Sequence, residues 1–305
     1  MAATLPLPAV AETEFRETRN TVWRRFRRHR IAVAGVFVLA AMCFVALFAH
    51  WISPADPNAI DQVHWSGYPL APGVAGHLLG TDELGRDLLS RLIYGAQISL
   101  TVAIFAVVME IVIGTILGAI SGYYRGIVDF TIMRITDVVL SIPLLPLLLV
   151  LTAIVAATSN KASLNFLTIV IIIGGLSWPS VARLVRAEFL SLREREYAEA
   201  ARAVGNRDGR IIFRHLLPNA IAPIIVQATL DIAGVIILES TLSFLGFGIQ
   251  PPTASWGNML ANASSNMQIA PWVAIFPGLC ILVTVLAINY LGDGLRDALD
   301  PNMQR

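Results

Sequence analysis

"YAEAARAVGNRDGRIIFRHLLPN", residues 197–219, is a charged, alanine-rich stretch set between two hydrophobic runs. Alanine, glutamate and arginine all favour helix, and Gly205 stands where a left-handed C-terminal cap can end one. The pattern predicts a helix continuing out of the preceding run from about residue 187 to 204, then a second short helix from Asp208 to about His215. Leu217 and Pro218 lead into the next apolar run, proline being suited to a first helical turn. Helix, glycine, helix, proline makes a compact protrusion rather than a floppy loop. Small Ala200 and Ala201 would let a partner approach closely, and Glu199 with the flanking arginines would set the register. Good helix formers give the same composition in any exposed helix, so the seven residues 199–205 alone leave both readings open.

Working outward, 56% of the 305 residues are hydrophobic and only 14% charged, with a mean hydropathy of +0.68. Lipid is the expected solvent for most of such a chain. Apolar runs occur at about 31–52, 98–120, 133–157, 166–185, 221–242 and 272–291, each near the roughly 20 residues that a bilayer core demands. The basic stretch "WRRFRRHR" (23–30) ahead of the first run puts the N-terminus in the cytoplasm. That run is long for a cleaved signal peptide and no clear A-x-A site follows it. Arg125 and the cluster Arg183, Arg186, Arg193, Arg195, Arg202, Arg207, Arg210 and Arg214 then fall inside, while residues 243–271, which carry no charge, fall outside. The layout expected is a cytoplasmic tail (1–30), a first span (31–52), an external loop with an amphipathic segment (53–96), a core of five helices (97–292) with a cytoplasmic loop at about 187–219, and a cytoplasmic tail (293–305). A net charge of +1 with arginines gathered beside the spans gives no basic domain for nucleic acid.

Cys43 and Cys280 lie in apolar runs, without metal-ligand spacing or the pattern of a disulfide scaffold, and read as lipid-facing or packing residues. His50, His64 and His77 lack metal spacing too. The single lysine, Lys161, belongs to no GxxxxGK[ST] loop, so the chain does not bind ATP in that way. The motifs HExxH and GxSxG are missing, which argues against an intramembrane enzyme and leaves no catalytic residue to nominate.

In "GTDELGRDLLSRLIYG" (80–95), Thr81 or Asp82 is placed to cap a helix, and Asp87 and Arg91 are spaced to pair on one face, as in a short amphipathic helix at the outer interface. Gly114, Gly118 and Gly122 recur every fourth residue and lay a smooth strip down one helix face. Glu110 in the second span, and Asp231 and Glu239 in the fifth, are ionisable groups at membrane depth. Such groups face protein or water, or hold a proton. Two readings stand for them: at least one lines a translocation cavity, or each is a protonated or hydrogen-bonded packing residue. A proton-coupled secondary transporter would use the same groups as carriers, but it leaves the polar protrusion without a purpose. Arg134 and Asp137 read as a local ion pair.

The stretch 197–219 resembles the EAA signature of permease subunits in bacterial ABC importers: EAA, three residues, Gly, nine residues, Ile, one residue, Leu-Pro. Glu199, Ala200, Ala201, Gly205, Leu217 and Pro218 match in type and spacing, while His215 stands where the pattern has isoleucine. Four further stretches resemble the "C"-type permeases of dipeptide and oligopeptide importers: "GTDELGRDLLSRLIYGAQISL" (80–100), "GLSWPSVARLVRAEFL" (175–190), "LSFLGFGIQPPTASWGNML" (242–260) and "LGDGLRDALDP" (291–301). The resemblance runs from about residue 23 to 301. It implies an all-α polytopic protein of the bacterial cytoplasmic (inner) membrane, with six transmembrane helices in the type I ABC importer fold and both termini cytoplasmic. It further implies that residues 199–205 form a coupling helix seated on a separate cytoplasmic ATPase. The chain would be half of a heterodimer with a second permease, served by two ATPases that use ATP and Mg while this chain binds no cofactor. An extracytoplasmic substrate-binding protein would meet the outer segments, which contain Gly80, Thr81, Asp82, Gly85, Arg86, Asp87, Trp256 and Gly257. The substrate class implied is di- and oligopeptides; nickel and glutathione importers share the subfamily. Glu110 matches none of these motifs.

Overall fold

The computed structural model describes residues 24–27, 29–158 and 166–299, and it is helical almost throughout. Trp23, Arg28, Lys161, the first 23 residues and the last six lie outside the described residues. After α1 (Arg30–Leu47) and the single turn α2 (Ala49–Ile52) comes an irregular segment. It leads to α3 (Leu88–Tyr124), which at 37 residues is about 55 Å long and exceeds a bilayer core of about 30 Å. Then follow α4 (Gly126–Ser141), α5 (Leu144–Thr158), α6 (Phe166–Leu192), α7 (Glu196–Ala203), α8 (Asp208–Ile211), a π-helical turn (Ile212–Leu216), α9 (Leu217–Phe244), α10 (Trp256–Ala263) and α11 (Trp272–Leu299). Five helical segments are long and apolar enough to cross a membrane, α8 to α9 counting as one, and α4 with α5 makes a sixth if the pair is one broken span.

Several boundaries differ from the sequence reading for local reasons. The first apolar run breaks at Phe48, where the backbone leaves the helix. Residues 80–87 form a tight loop rather than part of an amphipathic helix, and α3 starts at Leu88 with Asp87 as its N-cap, not Thr81 or Asp82. The run 133–157 is two helices bent by 86°. Ile142, between them, is extended because the following Pro143 disfavours helical backbone at the residue before it. The helix of the fourth run ends at Leu192 instead of continuing to 204, and α11 runs on to Leu299.

The glycine strip of α3 faces α6. A Cβ added at Gly118 would lie 2.5 Å from the Ala182 carbonyl oxygen and 2.8 Å from the Val185 Cβ; at Gly114 and Gly122 it would meet the Cβ of Val181 at 2.6 Å and of Phe189 at 2.7 Å. Val181, Val185 and Phe189 form an i, i+4 ridge that is fully buried in the groove left by the glycines. This contact belongs to a buried cluster that continues into Ala198, Ala201, Ile211, Ile212 and Leu216 of the polar protrusion. A larger cluster joins α3, α6, α9, α10 and α11 through Leu100, Ile173, Ile236, Trp256 and Ile288. Ile104, Phe105, Val108, Val112 and Ile116 line the outer side of α3 and stay exposed, as lipid or another apolar surface, but not water, would permit.

Candidate functional site

The protrusion is built as a hairpin of short helices. α7 ends in a Schellman motif: Gly205, at φ +80°, donates its N–H to the Arg202 carbonyl at 2.9 Å, and Asn206 donates to the Ala201 carbonyl at 3.2 Å. The Asn206 side chain donates to the same carbonyl at 3.0 Å. After α8 and the π turn, α9 opens with Pro218 in its first turn. One face of this unit is apolar and buried on α3 and α6. The other presents Glu199, Ala200, Gly205 and Pro218, together with Val204 (83% exposed) and Phe213 (69% exposed). Leu217 is half-buried, and Ala201 faces inward at 7% exposure, so its small size seats α7 on this chain's own helices. The sequence reading did not single out Val204 and Phe213, whose only signal is that they are large apolar residues in a charged stretch.

Polar tethers bind the hairpin to the helix ends beneath it. The Tyr123 hydroxyl donates to Asp208 at 2.7 Å, Arg193 donates to the Tyr123 carbonyl, and Arg202 donates to the Arg193 carbonyl. Arg186 makes a two-pronged contact with Asp129 at 2.5 and 2.7 Å, and Arg125 pairs with Glu194 at 2.5 Å. The expected Arg134–Asp137 pair does not form. Asp137 pairs across helices with Arg183 at 2.5 Å, and Arg134 lies 5.1 Å over the Phe130 ring. The hairpin is thereby fixed to the C-terminal end of α3, while beneath it α4 is tied to α6.

A cavity of about 470 Å³ lies among α3, α6, α9 and the α4–α5 break. Glu110, Ser177, Ser180, Gln227 and Asp231 supply its polar lining, and Ile142 and Pro143 supply part of its wall. Of the three ionisable groups singled out at membrane depth, Glu110 and Asp231 share this chamber and Glu239 does not line it. Glu239 is wholly buried and accepts hydrogen bonds from Ser99 (3.2 Å) and Ser243 (2.7 Å), tying α9 to α3.

The outer residues assigned to a binding-protein surface are inside the fold. Thr81, Asp82, Arg86 and Asp87 are buried, as are Trp256 and Gly257. Asp82 pairs with Arg86 at 2.7 Å and with Arg91 at 3.2 Å, so the expected Asp87–Arg91 pair is replaced. Asp87 instead caps α3, accepting from the Ser90 N–H at 2.8 Å, and bonds His77 at 2.8 Å. Trp256 donates its indole N–H to the Leu92 carbonyl at 3.1 Å, and a Cβ at Gly257 would meet the Ser240 backbone at 2.6 Å. These residues hold the outer segments together; the solvent-facing side chains nearby are others, such as Val63 and Leu78. His77 also reaches Asp61 at 3.3 Å. Burial alone would lower the His77 pKa, but the Asp87 and Asp61 carboxylates outweigh it and hold the pKa above its ordinary 6.5. Asp61 is held well below the usual carboxylate range, chiefly by its hydrogen bond to His64, with burial opposing and the His64 and Val63 amides and His77 adding to the effect.

A bundle of membrane-length helices around a partly open cavity, with one capped polar hairpin rooted in it, is the architecture of a transport permease. The same fold occurs in solved structures: an inward-facing MetNI methionine ABC transporter (TM-score 0.56, 20% identity, 70% of this chain and 98% of that one), and an amino acid ABC transporter (TM-score 0.52, 18% identity, 67% of this chain and 92% of that one). The chain belongs to the family described as binding-protein-dependent transport system inner membrane component, whose pattern matches residues 114–305. Residues 19–72 match the N-terminal TM domain of oligopeptide transport permease C. Among curated relatives, the glutathione transport system permease protein GsiD of Pectobacterium atrosepticum is 43% identical, covering 100% of this chain and 97% of the relative. The dipeptide transport system permease protein DppC of Alkalihalophilus pseudofirmus is 39% identical over 98% of this chain and 96% of the relative. The protein is a multi-pass inner-membrane permease subunit of an ABC importer.

Proposed function

We propose that the chain forms half of the membrane pathway of an ATP-driven importer for di- and oligopeptides, working by alternating access. In this reading it has six spans with both termini cytoplasmic. It pairs with a second, related permease, receives solute from an extracytoplasmic binding protein and is driven by two cytoplasmic ATPases. ATP and Mg are used by those ATPases; this chain catalyses no reaction and binds no cofactor. The observation that carries the proposal is the capped hairpin of α7 and α8, with Glu199, Ala200 and Gly205 on its free face and its other face packed on α3 and α6. A rigid lever rooted at helix ends transmits a push from a docked ATPase into the bundle, where the cavity lies. Val204 and Phe213 are the apolar anchors of the docking face. The bound solute is a short peptide because the relatives transport dipeptides and glutathione, itself a short peptide; nickel or another small solute is the alternative within the same reading.

The experiment is a mild-detergent purification of the tagged chain from its own membranes, wild type beside Glu199→Arg, with every accompanying protein identified by mass. A second permease and ATPases should accompany the wild type, and the ATPases alone should be lost from the variant. A chain that emerges by itself or as a homo-oligomer ends the proposal. Uptake that continues without ATP, driven by a proton gradient, points instead to a secondary transporter.

A further inference from the structure

Two carboxyl groups line the cavity, and among the described residues no cation lines it with them. Glu110 is 3% exposed and opens onto the chamber. Asp231, one helix away, takes a hydrogen bond on Oδ1 from Gln227 at 2.8 Å, while its Oδ2 is buried without a partner. Among the described residues, no arginine, lysine or histidine lines the chamber. Arg183, one turn beyond Ser180 on α6, is engaged with Asp137. Ser177 donates its hydroxyl to the Ile173 carbonyl at 2.9 Å, which turns the oxygen lone pairs of this lining residue outward as acceptors. The lining is thus rich in acceptors and nearly devoid of free donors, and it carries latent negative charge at membrane depth.

Ionisable groups in such a position pair with a cation or keep a proton. A small divalent metal is a poor occupant, because no group of three or more His, Cys, Asp or Glu among the described residues is arranged to hold one. A primary ammonium fits better. It brings three N–H donors on one tetrahedral head, and two carboxyl groups with a serine oxygen supply three acceptors, of which one ionised carboxylate is enough to balance its charge. The volume, about 470 Å³, falls within the range of about 300–1,000 Å³ for small-molecule sites.

We propose that Glu110 and Asp231 are specificity-determining residues that hold the primary ammonium group of the transported solute inside the membrane. This rests on the peptide-import reading, since a peptide with a free N-terminus carries that group. Glu110 and Asp231 replace the water stripped from the ammonium when the solute leaves its binding protein, and Gln227 fixes the Asp231 carboxylate with Oδ2 turned free.

The test uses the whole importer, both permeases with their ATPases, in proteoliposomes supplied with the binding protein and labelled dialanine. Glu110→Gln and Asp231→Asn should each lower uptake about tenfold or more, the effect of losing a charged hydrogen-bond partner. ATP hydrolysis stimulated by the loaded binding protein should persist. Charge-keeping Glu110→Asp and Asp231→Glu should restore most of the uptake, and a protonophore should change nothing. Neutral variants that transport normally would show that the groups merely hold protons, and the proposal falls. It falls equally if neutral and charge-keeping variants fail alike, which is a packing effect, or if the protonophore abolishes wild-type uptake. Absence of dialanine uptake in the wild type removes the peptide reading, and this proposal with it; normal wild-type uptake with unaffected variants removes this proposal alone.

Discussion

Gly205 offers a graded perturbation whose size can be worked out from its surroundings. A Cβ added there meets nothing within 4 Å, so substitution introduces no clash and acts only through the backbone angle of +80°. For alanine, holding left-handed backbone costs roughly 1–2 kcal/mol; asparagine tolerates it at lower cost. Proline fixes φ near −65° and also deletes the N–H that bonds Arg202, so it cannot form the cap at all. A loss of 1–2 kcal/mol raises the population of the opened cap by about 5- to 30-fold. Amide hydrogen exchange across residues 198–206 of the assembled importer reads that opening directly. Exchange should rise by this factor in Gly205→Ala, less in Gly205→Asn and most in Gly205→Pro, with ATP-driven uptake falling in the same order. Equal exchange in wild type and Gly205→Ala would mean that the left-handed cap does not hold α7, and the lever argument would lose its support.

Three other outcomes are expected. Gly118→Ala should lower the melting temperature of the purified complex, because the added methyl strikes the α6 backbone at a cost of about 1–3 kcal/mol; Gly278→Ala, whose nearest neighbour would be 4.0 Å away, should be neutral or slightly stabilising, and equal shifts for the two would refute the packing claim. Asp82→Asn leaves buried Arg86 and Arg91 without their shared carboxylate and should destabilise the outer segment by about 3–5 kcal/mol, seen as faster proteolysis between residues 53 and 87. His77 has a raised pKa, so its charged contacts with Asp61 and Asp87 are fully present below pH 6.5 and fade as pH climbs through the raised value; protease resistance of the outer segment should fall over that window in wild type and stay level in His77→Gln.

The parts of the fold visible in the sequence are those set by short-range rules. Gly205 follows a run of helix formers and is the cap; Gly114, Gly118 and Gly122 share one face by spacing alone and are the groove. The break at Ile142 was signalled by Pro143, but a hydropathy window averages over one residue and joins two helices into a single run. The Asp87–Arg91 spacing suggested an i, i+4 pair, yet a helix that begins at Leu88 uses Asp87 as its cap and leaves Arg91 to Asp82, which only the loop's path brings near. The outer motif residues are buried for a related reason: a polar sequence with many glycines looks exposed, whereas here the charges neutralise one another inside. Asp231 and Glu239 are alike in type and sit on the same helix, but eight residues turn a helix by two turns and about 80°. That rotation separates a cavity wall from a packed interface, and one sequence without its neighbours does not say which is which.

Two of the tethers under the hairpin end on carbonyl oxygens: Arg193 on that of Tyr123, and Arg202 on that of Arg193. Every residue type has a carbonyl, so for these bonds the identity of the accepting residue is immaterial. Changes in one partner then exert no pressure for a compensating change in the other. Pairwise covariation across a large set of such permeases would therefore pass over both links, however strictly each arginine is retained. The mechanical root of the lever is written in single positions, and a search for correlated pairs would overlook it.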